Sequence, residues 1–212
     1  MTLLLLGATG AVGRQLLALA LADARVDKVV VLSRTPLPSH PKLHNPVLDF
    51  SQLPDDATWW RADAALCCLG TTLKAAGGKS AFRAVDHDLV LALARLAREH
   101  GTPAWAYCSS MGANARAANF YLRVKGETER DLQLLDFPCL CLVRPSLLDA
   151  GPRAQRRLGE ELALTLCRLL GPLLPRRWRP IKTKLVARAM LEWALRPKKG
   201  IKVLCSETLQ LR

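Results

Sequence analysis

The sequence predicts an α/β fold, a doubly wound parallel sheet followed by a short, mostly helical C-terminal extension. Three observations carry this. Short apolar runs rich in Leu and Val alternate with longer amphipathic ones. The short runs are apolar throughout rather than at every second position, as strands covered on both faces must be. A glycine-punctuated turn joins the first short run to the first amphipathic one.

Taken in order, TLLLLG (2–7) reads as a strand and AVGRQLLALALAD (11–23) as a helix. KVVVLSR (28–34) is a second strand, and NPVLDF (45–50) a short third one after a proline-rich loop. ADAALCCLG (62–70) is a fourth strand, followed by a long helix over 80–101 that ends on Gly101. PAWAYCSS (103–110), the helix NFYLRVKGETERDLQLL (119–135) and the strand PCLCLVRPS (138–146) complete the repeating pattern. Beyond Pro145 the pattern changes. RLGEELALTLCRLLGPLLP (157–175) carries Leu158, Leu162, Leu166, Leu169 and Leu173 on one helical stripe. A helix over 181–197 and a strand over 201–206 follow. This tail is too short for a domain of its own. The expected organisation is one domain over 1–212, with 147–212 an extension that packs beside the sheet and covers the substrate side.

Composition narrows the function classes. With 212 residues, half of them hydrophobic, the chain can bury one large core. MTLLLL lacks the basic segment of a secretory signal, and QLLALALA is too short to span a bilayer, so a soluble, cytoplasmic protein is expected and no membrane partner. The seven cysteines are odd in number, form no C-x-x-C, and mostly sit in apolar runs; they read as reduced thiols. No metal is expected, since His40 and His44 lie in the proline-broken loop PSHPKLHNP. Charge is uneven: residues 1–150 hold 16 Lys/Arg against 14 Asp/Glu, whereas 151–212 hold 15 against 4. A basic tail invites a nucleic-acid reading, but no nucleic-acid motif or interleaved aromatics accompany it, so nucleic acid is not expected as a partner.

The turn after the first strand carries the first chemical signal. Gly7, Gly10 and Gly13, with Ala8, Thr9, Ala11 and Val12 between them, form G-x-x-G-x-x-G at the opening of a helix. Gly7 permits the tight turn, Gly10 the approach of a pyrophosphate to the backbone, and Gly13 the close packing of helix on strand. The helix N-terminus then presents N–H groups and a positive dipole end to phosphates. At the end of the second strand stands Arg34, with no acid beside it. A guanidinium there suits a ribose 2′-phosphate, so NADP(H) is expected over NAD(H). Tyr121 precedes Lys125 by four residues, which places both on one helical face. A neighbouring ammonium lowers a phenol's pKa and equips it to move protons.

These stretches, with CCLGTT (67–72) and YCSSMGA (107–113), resemble in order the motifs of short-chain dehydrogenases/reductases. The likeness spans residues 2–146 and continues weakly through PIKTKLVARAML. It is greatest to an atypical group typified by the HIV Tat-interacting oxidoreductase-like proteins and their bacterial relatives, through CLGTTLKAAGGKSAFRAVDHDLV, SSMGANARAANFYLRVKGETE and LVRPSLL. That resemblance implies a Rossmann-type NAD(P)-binding domain and an oxidoreductase moving a hydride between NADPH and a small carbonyl or alcohol. Tyr121 matches the family's acid/base tyrosine and Lys125 its lysine partner, which also holds the nicotinamide ribose. Ser110 matches the serine on the substrate oxygen, with Ser109 the alternative. Arg34 matches the 2′-phosphate residue and Asp49 the acid near the adenine. Leu69 and Gly70 match the floor of the adenosine site, and Arg144 an arginine near the nicotinamide end. Two other readings remain: an NADPH-sensing regulatory module acting through a protein partner, and a nucleoside-diphosphate-sugar epimerase or dehydratase, whose full substrate domain this chain is too short to hold. Substrate identity is open, as is the choice between monomer and homodimer.

Overall fold

The computed structural model describes residues 1–149 and 176–210. The predicted helix over 157–175 therefore lies outside the described residues. Among them, seven parallel strands form one sheet in the order β3-β2-β1-β4-β5-β6-β9. The strands are β1 (Thr2–Leu6), β2 (Lys28–Leu32), β3 (Leu43–His44), β4 (Ala64–Cys67), β5 (Ala104–Cys108), β6 (Cys139–Arg144) and β9 (Gly200–Cys205). A second, two-stranded parallel sheet pairs β7 (Leu148–Asp149) with β8 (Ile181–Lys182).

Alternation along the strands divides the core into two layers. Leu3 and Leu5 of β1 face one layer, Leu4 and Leu6 the other. The first layer is covered by α1 (Ala11–Ala22) and α6 (Thr183–Leu195), which bury Leu16, Ala20, Val186 and Met190. The second is covered by α4 (Leu89–Glu99) and α5 (Phe120–Gln133), which bury Val90, Leu93, Ala97 and Leu132. All four β1 leucines are at most 1 % exposed. Each fully buried side chain of this size contributes about 1.5–3 kcal/mol relative to exposure. The sheet is thus buried on both faces, as its uninterrupted apolar runs require.

Three elements depart from the sequence reading. The strand expected over 45–50 is reduced to Leu43–His44 and one bridge between Ser33 and Val47. Pro46 offers no N–H to the ladder, and Asn45 spends its amide on Leu37 N–H, the Val31 carbonyl and the Ser33 hydroxyl. The long helix expected over 80–101 is α3 (Lys79–Arg83), a π-helical turn (Ala84–Asp88) and then α4. A short helix, α2 (Leu73–Ala76), capped by the Thr72 hydroxyl, was not expected at all. In the C-terminal part β9 extends the main sheet beside β6, and α7 (Ser206–Leu209) follows it.

Candidate functional site

The strand order reverses between β1 and β4, and the loops at their carboxyl ends part there. A cavity of about 680 Å³ opens at this point. Its first wall is the start of α1: Gly10, Ala11, Val12 and Arg14. Gly10 caps α1 without any side-chain bond, and the first turn holds no acid to compete with an anion. The loop is sterically tight. Gly7 has φ +81°, and a methyl group on it would meet the Cys68 carbonyl carbon at 2.7 Å. A methyl group on Gly13 would drive into the Gly7 carbonyl. Ala8 is buried under the loop, and Thr9 is exposed on it. The floor is the turn after β4, where Cys68, Leu69, Gly70 and Thr71 line the cavity.

The opposite wall carries the reactive side chains. Ser109 and Ser110, after β5, both line the cavity, as do Tyr121 and Lys125 from α5. Asn119 caps α5 by accepting from Leu122 N–H at 3.1 Å, so the helix starts at Phe120 and carries Tyr121 and Lys125 on one face. Gly126 lets that helix press on the 114–115 backbone, where a methyl group would collide. Tyr121 is half-buried, packs its ring 5.7 Å from Phe82, and among the described residues its hydroxyl has no hydrogen-bond partner. Ser109 Oγ is buried without a partner, whereas Ser110 Oγ donates to the Met111 carbonyl at 3.3 Å.

Lys125 is only 3 % exposed and is held from below. Its Nζ lies 2.9 Å from Asp86 Oδ1 and donates to the Tyr107 hydroxyl at 3.0 Å. The Asp86 contact is a charge pair whose angle falls short of a hydrogen bond, so Oδ1 remains without one. Asp86 Oδ2 accepts from Thr71 N–H at 2.8 Å and so ties the floor turn to the π turn. Burial pulls the lysine ammonium down, but the oxygens of Tyr107 and Asp86 outweigh it and hold it well above the ordinary lysine value. Burial pushes the Tyr107 phenol up despite the ammonium beside it.

The predicted residues that do not line the cavity include three side chains and two glycines. Arg34 is exposed just beyond β2 and has no ionic partner among the described residues. Asp49 is exposed, and its carboxylate accepts from Ser51 N–H at 2.9 Å, which holds its pKa below the usual value. Arg144 turns away onto Glu129, donating from Nε at 3.0 Å. Gly7 and Gly13 act through the backbone behind the wall. Sequence reading missed Asp86, Tyr107, Arg14 and Thr71, and also Pro145 and Ser146, which line the cavity just ahead of the extension expected from residue 147. Asp86 left a readable trace. Phe82, Asp86, Val90, Leu93 and Ala97 fall on one helical stripe, and all five are fully buried. An acid on an otherwise apolar stripe needs a buried partner.

A second hollow of about 470 Å³ lies between α1 and α6, lined by Leu19, Leu185, Arg188 and Leu191 among others; no predicted site residue reaches it. Among the described residues no group of three or more metal-ligating side chains occurs, and no helix is long and apolar enough to cross a membrane. Cys67, Cys68, Cys108, Cys139 and Cys205 are free thiols.

No protein-family model matches the sequence. The chain is 35 % identical over 206 residues to rat Protein HTATIP2, covering 92 % of this chain and 82 % of that protein. The chain belongs to the HTATIP2-like atypical short-chain dehydrogenases/reductases. It is also 38 % identical over 153 residues to Protein FMP52, mitochondrial, of Kluyveromyces lactis, across 68 % of this chain and 66 % of the relative. Among solved structures, MoeE5 in complex with UDP-glucuronic acid and NAD superposes with a TM-score of 0.73 at 16 % identity, over 96 % of this chain and 75 % of that one. That likeness shows the Rossmann-type fold. The expectation of a cytoplasmic location is overturned by the fungal relatives, several of which are named mitochondrial. Reduced, buried thiols fit any reducing compartment, so they never distinguished the two.

Proposed function

We propose that the chain is an oxidoreductase that moves a hydride between NADP(H), preferred over NAD(H), and a small carbonyl or alcohol substrate. One observation supports this above the others: a single cavity joins the N-terminus of α1, which no side chain caps, to Tyr121, Lys125, Ser109 and Ser110. The residues fit a nicotinamide dinucleotide. Ala11 and Val12 would offer backbone N–H groups to its phosphates, while Gly10, whose own N–H donates to the Gly7 carbonyl at 3.0 Å, would let them approach, and Leu69 and Gly70 would floor the adenosine part. Arg34, exposed and without an ionic partner among the described residues, suits the 2′-phosphate. MoeE5 carries NAD on the same fold.

When bound, the nicotinamide supplies or takes up the hydride. Tyr121 gives its proton to the carbonyl oxygen in reduction and takes it back from the alcohol in oxidation. Lys125 stabilises the phenolate by charge and holds the nicotinamide ribose. Ser110 donates to the substrate oxygen, and the partnerless Ser109 hydroxyl beside it is the alternative donor. The extension from residue 147 closes the substrate side, a role supported by Leu147 and Leu148 in the cavity wall. Calorimetric titration tests the reading. Tight binding of NADPH and weaker binding of NADH are expected, and binding of neither would overturn it. NADPH binding with no turnover across a panel of aldehydes and ketones would favour a sensing module.

A further inference from the structure

Resting on the role just proposed for Tyr121, we propose that Asp86 is a positioning residue that compensates the Lys125 charge and so sets the pH at which Tyr121 gives up its proton. The geometry is a buried stack. Asp86 is fully buried, its Oδ1 is 2.9 Å from Lys125 Nζ, and Lys125 lies one helical turn from Tyr121. A carboxylate this close offsets much of the ammonium's field at the phenol, and burial prevents water from screening either charge. Lys125 therefore reaches Tyr121 as half of an ion pair rather than as a bare cation.

Few other groups can share this task. Facing Lys125 are Tyr107 from β5, Tyr121 from its own helix, and the thiols of Cys67 at the end of β4, Cys68 just after it and Cys108 on β5. Burial pushes the thiols up, Cys67 to about 12 and Cys108 to about 11, so they stay neutral. Tyr107 is pushed up as well and contributes a neutral hydroxyl. Most other charges around the π turn and α5 are engaged with each other: His87 with Asp88 and Asp131, Arg130 with Asp131, Arg83 with Glu127, and Arg144 with Glu129. Arg123 on α5 donates to the Ala117 and Ala118 carbonyls, and Arg14 faces the same cavity from α1. Asp86 is the carboxylate that meets the lysine. The π-helical turn carries it, and the Asp86 carbonyl is itself taken by the hydroxyls of Tyr107 and Thr128, at 3.3 Å and 3.0 Å. Three side chains and the Thr71 N–H thus hold this residue in one place.

The chain has two tyrosines, which makes the test direct. Protein labelled with [13Cζ]tyrosine gives two signals, assigned by their loss in Tyr121→Phe and Tyr107→Phe. The titration midpoint of Tyr121 is then read without cofactor or substrate. Asp86→Asn keeps the shape and an acceptor for Thr71 N–H, and exposes the full lysine charge to the phenol. It should lower the Tyr121 midpoint by about one pH unit; an unmoved or raised midpoint overturns the proposal. Tyr107→Phe removes a neutral partner and should leave the midpoint within about half a unit; a fall as large as that from Asp86→Asn would show a packing effect and overturn it as well. Should Asp86→Asn not fold, the neutral pair Asp86→Asn with Lys125→Met replaces it. A midpoint within about half a unit of wild type supports compensation, and a larger rise overturns it. Failure of the oxidoreductase reading would appear instead in the NADPH titration, which this measurement does not use.

Discussion

The two ends of the cavity are built from different materials. The α1 end is backbone: Gly7, Gly10 and Gly13 matter because no side chain is there. The α5 end is side chain: Tyr121, Lys125, Asp86 and Tyr107 converge from three separate elements. The first is governed by steric exclusion, which is local and abrupt. The second is governed by charge in a buried setting, which is graded and shared. The same contrast says where a substitution breaks the molecule and where it retunes it.

The largest expected effect is therefore at the backbone end. Gly13→Ala places a methyl group against the Gly7 carbonyl, and rigid backbone lies on both sides. Overpacking of this kind costs roughly 1–3 kcal/mol or more. The loop must open, so NADPH binding should be lost and the melting temperature should fall together. A variant that bound NADPH as wild type does would show that the loop does not cradle the phosphates. At the side-chain end Tyr121→Phe removes one oxygen from a half-buried ring. Turnover should be abolished while the melting temperature and NADPH affinity stay close to wild type. Turnover at the wild-type rate would remove Tyr121 from the chemistry.

Legibility in the sequence followed the same division. The sheet, its helices and the glycine loop were readable because each depends on neighbours in the chain: apolar runs, a 3.6 period, a G-x-x-G-x-x-G spacing. The Tyr121–Lys125 pair was readable for the same reason, being one helical turn long. What escaped was long-range. Asp86 lies 39 positions before Lys125, and Tyr107 lies 18 before it, and only the fold unites them. Arg144 was placed near the nicotinamide by resemblance, yet Glu129, buried on α5, claims its guanidinium. The third strand failed because Pro46 and the Asn45 side chain answer the backbone locally instead of through the ladder.

Arg34 probes an intermediate case, a side chain acting at the backbone end. It is solvent-exposed, so its removal should cost no stability. A hydrogen bond to a charged group is worth about 1.5–3 kcal/mol. Arg34→Ala should thus weaken NADPH binding roughly 10- to 100-fold by titration. NADH binding should be unchanged. Equal loss for both cofactors would place Arg34 away from the 2′-phosphate.

The smallest effect is expected where charges meet in the open. Between α1 and α6, Arg25 bridges Asp23 at 2.7 Å and Glu192 at 2.9 Å. The geometry is as close as that of Asp86 and Lys125, but the Arg25 and Glu192 side chains are both 45 % exposed. The hydrogen bonds from Arg25 lower the Asp23 carboxyl to about 2 from 3.8. A folded-state value below the unfolded one stabilises the fold above pH 4 or so, and that contribution is lost as pH falls from about 4 to about 2. Solvent screening leaves it worth only about 0.5 kcal/mol. Asp23→Asn should lower the melting temperature by about 1–2 °C at neutral pH. The two melting curves should converge near pH 2, and NADPH binding should not change. A gap that persisted into acid would mean that Asp23 acts by shape rather than charge, and that exposed and buried pairs in this chain differ in more than their solvent.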